Sequence, residues 1–180
     1  MDIRLALDAM GGDDAPGVPV RAAVESRGRT DRILLVGDRA EVEPLLAAGE
    51  RSHISVVHTA GRIGMEDKLS LSMLRDRDNS LRKSLSLVKQ GEADVALSAG
   101  NTAAFVSMAI AELGLLPGVE RPAIAVVMPT VAGRLSVFLD VGANASPKAA
   151  HFLQYGIMGV EYARVILGVA APRTALLNIG

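Results

Sequence analysis

Apolar residues in this chain fall in short runs that end on Gly, Asp, Asn or Ser, and each run is followed by a segment with apolar positions at helical spacing. Residues 3–7, 33–36, 54–58 and 95–97 read as strands, and 18–27, 41–48, 80–90 and 102–113 as the helices between and after them. Strands alternating with helices at this interval imply a mostly parallel sheet covered on both faces, with ligands beyond the strands' carboxyl ends. The polar loops that begin at Asp8, Gly37, His58 and Ser98 then share one rim.

The rest of the chain is organised around residues 93–113. A strand there stops at Ser98-Ala99-Gly100-Asn101-Thr102, and Phe105, Met108, Ala109 and Glu112 continue at helical spacing. Gly100 removes a Cβ where a ligand would approach, while Ser98, Asn101 and Thr102 place short polar side chains beside the helix's unpaired N–H groups. Such a turn suits an anion, and the plainer reading is that Asn101 or Thr102 caps the helix.

Two further strand exits carry similar residues. Asp8 to Pro16 holds Gly11 and Gly12 between carboxylates, a loop whose backbone can approach a ligand, although Asp8 and Asp13 also suit turn formation and capping. It lacks the third glycine of a dinucleotide fingerprint. Residues 140–144, Asp-Val-Gly-Ala-Asn, follow strands at 123–128 and 135–141, which the six-residue link 129–134 marks as an antiparallel hairpin.

Between the third strand and Ser80, which reads as a helix cap, lies a long charged link, residues 59–79, expected to be a functional loop or a partly mobile one. Arg82 in the helix's first turn opposes the dipole, so it points to solvent or meets an anion. Pro117 closes the helix begun at Thr102, and residues 102–119 read as buried. A helix over 149–167 carries a stripe of Phe152, Gly156, Gly159 and Ala163 suited to close core or dimer packing. Residues 174–179 begin one more strand, from which we expect the front part of a longer protein.

At 180 residues the chain is expected to form a single α/β domain over 1–180. Hydrophobic content of 49% with 22% charged residues fits a globular fold, and the most apolar region is interrupted by Glu112, Gly114 and Pro117, unlike a membrane span. A net charge of −1, three Phe, two Tyr and no Trp give no footprint for nucleic acid. With no cysteine there is no disulfide, thiolate metal site or cysteine nucleophile, so acyl chemistry would proceed without an enzyme thioester. The N-terminus does not read as a signal peptide.

Taken together, residues 5–16 (LALDAMGGDDAP), 35–38 (LVGD), 56–68 (VVHTA with IGMEDK), 78–82 (DNSLR), 92–104 (EADVALSAGNTAA), 121–130 (RPAIAVVMPT), 139–144 (LDVGAN) and 176–180 (LLNIG) resemble the bacterial phosphate acyltransferase family of phospholipid synthesis. The resemblance implies an α/β/α sandwich with a mostly parallel sheet, similar to the phosphotransacetylase and isocitrate dehydrogenase group. It implies transfer of an acyl group from acyl carrier protein to inorganic phosphate, with no metal or organic cofactor. It further implies a cytoplasmic homodimer, peripheral membrane association and a downstream glycerol-phosphate acyltransferase as partner. The chain departs from the family pattern at Ala103, usually glycine, at Ser146-Pro147 before Lys148, and at Ala150, usually glutamate.

On this reading Gly100, Asn101 and Thr102 hold phosphate, Lys68 and Arg82 supply charge, Gly11, Gly12 and Asn144 line the acyl thioester, and Asp8, Ser98 and Asp140 belong to the substrate-binding set. His58 or Lys148 would stabilise the departing thiolate. As plainer readings, Lys68 and Arg82 are solvated cations, His53 an exposed loop residue and His151 an orienting group. The alternatives are an isocitrate dehydrogenase-like enzyme on a small phosphorylated or carboxylated substrate, and a non-catalytic fragment that docks carrier protein.

Overall fold

The computed structural model describes residues 3–26, 28, 32–50 and 52–178. The chain divides into two compact units, Met1–Gly114 and Leu115–Gly180.

In the first unit, β1 (Arg4–Asp8), β2 (Arg32–Gly37), β3 (Ile54–His58) and β4 (Val95–Leu97) form a parallel sheet in the order β3-β2-β1-β4. Alternation sends successive residues to opposite faces. Leu7, Ile33, Leu35 and Ile54 pack with Val20 and Ala23 of α1 (Gly17–Glu25) and Val42 of α2 (Arg39–Val42). Ala6, Leu34 and Val36 pack on the other face with Leu87 of α4 (Ser80–Lys89). Helices thus cover both faces, as the alternating pattern predicts. A third cluster joins Leu81 and Leu85 of α4 to Ala104 and Met108 of α5 (Thr102–Leu113).

Several boundaries differ from expectation, each for a local reason. The second helix stops at Val42 and a 3-10 turn follows at Glu43–Leu45, because Pro44 has no N–H with which to continue the α ladder. Asn79, not Ser80, caps α4, its Oδ1 accepting the Arg82 N–H at 2.9 Å. Gly114, at φ +79°, ends α5 before Pro117 is reached. Only the Ala104–Met108 stripe of α5 is fully buried, while Ile110, Leu113 and Leu116 are exposed, so the region is less enclosed than its hydropathy suggests.

The long link after β3 is tied down rather than loose. Gly61 and Asn79 form a parallel bridge, Gly61 N–H donating to the Asp78 carbonyl at 2.9 Å and Ser80 N–H to the Gly61 carbonyl at 3.0 Å. The buried Thr59 hydroxyl donates to Asp78 Oδ1 at 2.9 Å. Between these anchors runs α3 (Leu71–Arg75), capped by Ser70. His53, expected to be exposed, is half-buried, and among the described residues both its ring nitrogens lack hydrogen-bond partners.

In the second unit β5 (Ala125–Pro129) and β6 (Leu135–Leu139) pair antiparallel, the hairpin predicted from the short link. Its turn is closed by Thr130, which both donates to and accepts from Arg134. The helix α6 (Ala149–Val165) packs on β6, and a Cβ on Gly159 would lie 2.6 Å from Leu139 Cδ1, so the small-residue stripe serves core contact there. Residues 174–178 form no strand. Pairing in a sheet is what makes a strand, and this segment joins neither ladder. Ile179 and Gly180 of the expected strand lie outside the described residues.

Candidate active site

At the carboxyl edge of the first unit's sheet, the ends of β1 and β4 are locked together. Asp8, 2% exposed, accepts the Met10 N–H on Oδ1 at 3.1 Å and the Ser98 hydroxyl on Oδ2 at 2.7 Å. Ser98 Oγ in turn accepts the Gly100 N–H at 3.0 Å. No room is left for side chains on the neighbouring glycines: a Cβ on Gly11 would lie 2.6 Å from Asp8 Oδ2 and 2.7 Å from Ser98 Oγ, and one on Gly100 would lie 3.2 Å from Gly11 Cα. Gly12 adopts φ +111°, open to glycine at no steric cost. Asp8, Gly11, Gly12, Ser98 and Gly100 therefore come together as the sequence predicts, with the carboxylate and hydroxyl used to hold two loops in register.

The N-terminus of α5 opens immediately beyond this lock. Asn101 caps the helix, Oδ1 accepting the Ala104 N–H at 3.0 Å, while Nδ2 donates to the Met65 and Asp67 carbonyls at 3.0 and 3.1 Å. An asparagine amide carries two donors, so both are spent on this loop. Asn101 thus fixes residues 65–67 against the helix start instead of facing a ligand with its amide, and the exposed Lys68 follows directly in sequence. Thr102 and Ala103 are exposed, and amides of a first helical turn have no partner inside the helix.

Two residues expected beside this turn lie elsewhere. The Arg82 guanidinium meets Glu112 at 3.0 and 3.1 Å and also donates to the Leu74 carbonyl. Glu112 stands ten residues along α5 from Thr102, roughly 15 Å at the helical rise. Arg82 therefore answers a carboxylate near the helix's C-terminal end, an arrangement helped by Lys89 at 3.8 Å from the same carboxylate. Arg82→Ala is expected to lower stability by about 2 kcal/mol, because Glu112 is mostly buried. Urea unfolding reads that loss.

His58 ends β3, three strand spacings from β4, roughly 14 Å across the sheet. Its Nδ1 accepts the Arg39 N–H at 3.2 Å, and it lines a shallow depression of about 420 Å³ with Asp38, Arg39, Ala40, Glu43 and Pro44. The shared rim is real, but His58 occupies its opposite corner.

Asp140, Asn144 and Lys148 belong to the second unit. Asp140 takes φ +65°, uncommon for a residue other than glycine, and its Oδ1 accepts the Ala143 and Asn144 N–H groups and Asn144 Nδ2, each at 3.1 Å. Asn144 Nδ2 also donates to the Pro122 carbonyl at 3.0 Å, and its Oδ1 accepts from Arg121 at 3.4 Å. Lys148 is exposed at the start of α6, its N–H donating to His151 Nδ1 at 3.1 Å, while His151 Nε2 meets Glu120 at 3.2 Å. His151 thus orients the loop before the helix.

The sequence reading passed over Asn79, Thr59 and Asp78, which anchor the long link, and Arg121 and Tyr155. Asn ranks with the best N-caps, which was the available signal for Asn79. Tyr155 follows His151 by one turn on the buried side of α6, an i,i+4 pair that a helical projection picks out. Among the described residues no group of three or more His, Cys, Asp or Glu is arranged to hold a metal ion. No helix of the described residues is long and apolar enough to cross a membrane.

The fold, in which a strand of a parallel sheet turns into a helix beside the locked loops, is similar to that of a solved phosphotransacylase. The chain aligns with the crystal structure of a branched-chain phosphotransacylase from Enterococcus faecalis at a TM-score of 0.59 and 16% identity, covering 90% of this chain and 51% of that one. Residues 3–180 match the family described as fatty acid synthesis protein, and the chain belongs to that family. Curated relatives named phosphate acyltransferase come from Staphylococcus saprophyticus (42% identical), Heliobacterium modesticaldum (42%) and Myxococcus xanthus (43%), each matched over 99% of this chain. The chain spans about half the length of these relatives: 53%, 54% and 52%.

Proposed function

We propose that the chain belongs to an enzyme that transfers a fatty acyl group from acyl carrier protein to inorganic phosphate, giving acyl phosphate for phospholipid synthesis. The observation that carries the reading is the lock of Asp8, Ser98, Gly11 and Gly100 beside the α5 start, where Thr102 and Ala103 are exposed, in a chain whose relatives bear the name phosphate acyltransferase. A phosphate dianion suits the first-turn amides of α5, the Thr102 hydroxyl and the charge of Lys68.

A phosphate oxygen attacks the thioester carbonyl carbon, a C–O bond forms, the C–S bond breaks, and sulfur leaves as a thiolate that takes a proton from solvent. Phosphate at neutral pH is already a competent nucleophile, so positioning and oxyanion stabilisation contribute more than a strong base. Gly12, partly exposed in the loop after β1, gives the acyl thioester close backbone approach. The same reading takes a cytoplasmic homodimer at the membrane's inner face, supplying a glycerol-phosphate acyltransferase.

Asn101 acts as a positioning residue. Asn101→Ala is expected to raise the phosphate KM about tenfold, with a smaller change in kcat, because it releases Met65 and Asp67 and leaves a helix end uncapped. Asn101→Asp keeps the cap but sets an acceptor against the Met65 and Asp67 carbonyls, so it should show the KM rise with the α5 cap retained. A wild-type phosphate KM in both variants would remove the Asn101 turn from the site.

The overall reading is tested by acyl phosphate formation from acyl carrier protein and phosphate, by the 180-residue chain and by a full-length relative. Because the chain spans half of its relatives, product from the relative alone would make this chain a non-catalytic module. Product from neither would overturn the reading.

A further inference from the structure

The parallel sheet of the first unit ends at β4, which among the described residues pairs with β1 on one side and with no strand on the other. The Asp94 N–H donates to the Arg4 carbonyl at 2.8 Å, and the ladder groups of alternate residues face the same neighbour. Ala96 therefore turns its N–H and C=O toward β1, while Val95 and Leu97 turn theirs to the open side. The side chains of these two residues are open as well. In the β1–β4 register Leu5 lies beside Val95 and Leu7 beside Leu97, on the face that α1 covers. That cover stops at β1: Leu7 is 6% exposed, against 49% for Val95 and 52% for Leu97.

Natural edge strands carry charges, prolines or bulges that block further pairing, and the Val-Ala-Leu of β4 has none of these. Both ends of the strand are pinned, by Arg4 on Asp94 at 2.7 Å and by Ser98 on Asp8 at 2.7 Å, so the open ladder is held in place. An occupant must pair this edge and also cover two apolar side chains. A second copy joined edge to edge through three residues would do only the first. A strand followed by a helix does both, as α1 does for Leu7 of β1. The relatives have the length for such a unit, because this chain spans about half of them and half of the solved phosphotransacylase. We infer that Val95–Leu97 form the docking edge for a strand and helix from the half of the relatives' length that this chain does not span. A strand there lies roughly 4.8 Å from β4 and brings one of its ends to the rim beside Ser98.

The inference rests on the open ladder and the relatives' length, not on the acyl-transfer reaction. Amide hydrogen exchange, read residue by residue, tests it on the 180-residue chain and on the full-length Staphylococcus saprophyticus relative. In the 180-residue chain the Val95 and Leu97 amides should exchange nearly as fast as an open peptide, and the Ala96 amide far more slowly. The aligned pair in the relative should exchange about a hundredfold slower than in this chain, at every protein concentration. Equally fast exchange in both proteins would overturn the inference. So would protection that is lost on dilution, which assigns the edge to a second copy. Val95→Lys gives an independent reading. It should lower the melting temperature of the 180-residue chain by under about 2 °C, whereas lysine at the aligned position of the relative should lower it by about 6 °C or more. Equal shifts would mean that the edge is open in both proteins, against the inference.

Discussion

Gly61→Ala is expected to destabilise the chain by about 3 kcal/mol, the largest single effect on folding among the substitutions considered. A Cβ at Gly61 would overlap the Asp78 carbonyl oxygen, which is backbone and cannot rotate away. That carbonyl accepts the Gly61 N–H, and the Gly61 carbonyl accepts the Ser80 N–H, so displacing it breaks the bridge that anchors both ends of the 61–79 link. The loss propagates to Asn79, the α4 cap, and to Thr59, whose buried hydroxyl depends on Asp78. Urea unfolding of Gly61→Ala and wild type checks this, with Gly17→Ala as control. No atom lies within 4 Å of a Cβ on Gly17, so its stability should stay within about 0.5 kcal/mol of wild type. A loss under about 1 kcal/mol at Gly61 would mean that the link yields, against the bridge geometry.

Gly11→Ala should have the largest effect on acyl phosphate formation, lowering kcat/KM about a hundredfold in the catalytically competent form. The added methyl meets Asp8 Oδ2, Ser98 Oγ and the Gly100 N–H at 2.6, 2.7 and 3.0 Å, so the β1 and β4 loops must part. Folding should suffer less than at Gly61, by about 2 kcal/mol, because two of the three atoms are on side chains that can turn. Steady-state kinetics with stability measured alongside separates the two effects. Activity near wild type in a folded Gly11→Ala protein would show that the lock can open without moving the reacting groups.

Much of this arrangement is legible from local pattern. Four apolar runs ending on polar residues locate the parallel strands, and the short 129–134 link marks the hairpin, because strand pairing and crossover length are governed by local spacing. The grouping of Asp8, Gly11, Ser98 and Gly100 follows from topology alone, since adjacent parallel strands end on one edge. What pattern does not carry is the identity of each polar partner. Arg82 finds Glu112 thirty residues away across the α4–α5 seam, and nothing local separates that from an anion ligand. Asn101 spends its amide on the carbonyls of Met65 and Asp67, groups that every residue possesses and no sequence advertises. His58 shares the rim but not the corner, because strand order is β3-β2-β1-β4 and not chain order.

The central claim is that phosphate sits on the first turn of α5, against the lock between β1 and β4. Titrating inorganic phosphate into the 180-residue chain while following backbone amides tests it most directly. The account predicts saturable shifts at Gly100, Thr102, Ala103 and Lys68, with the signals of His58 and Arg82 unmoved. Saturation of His58 or Arg82 with Gly100 and Thr102 unchanged would contradict it.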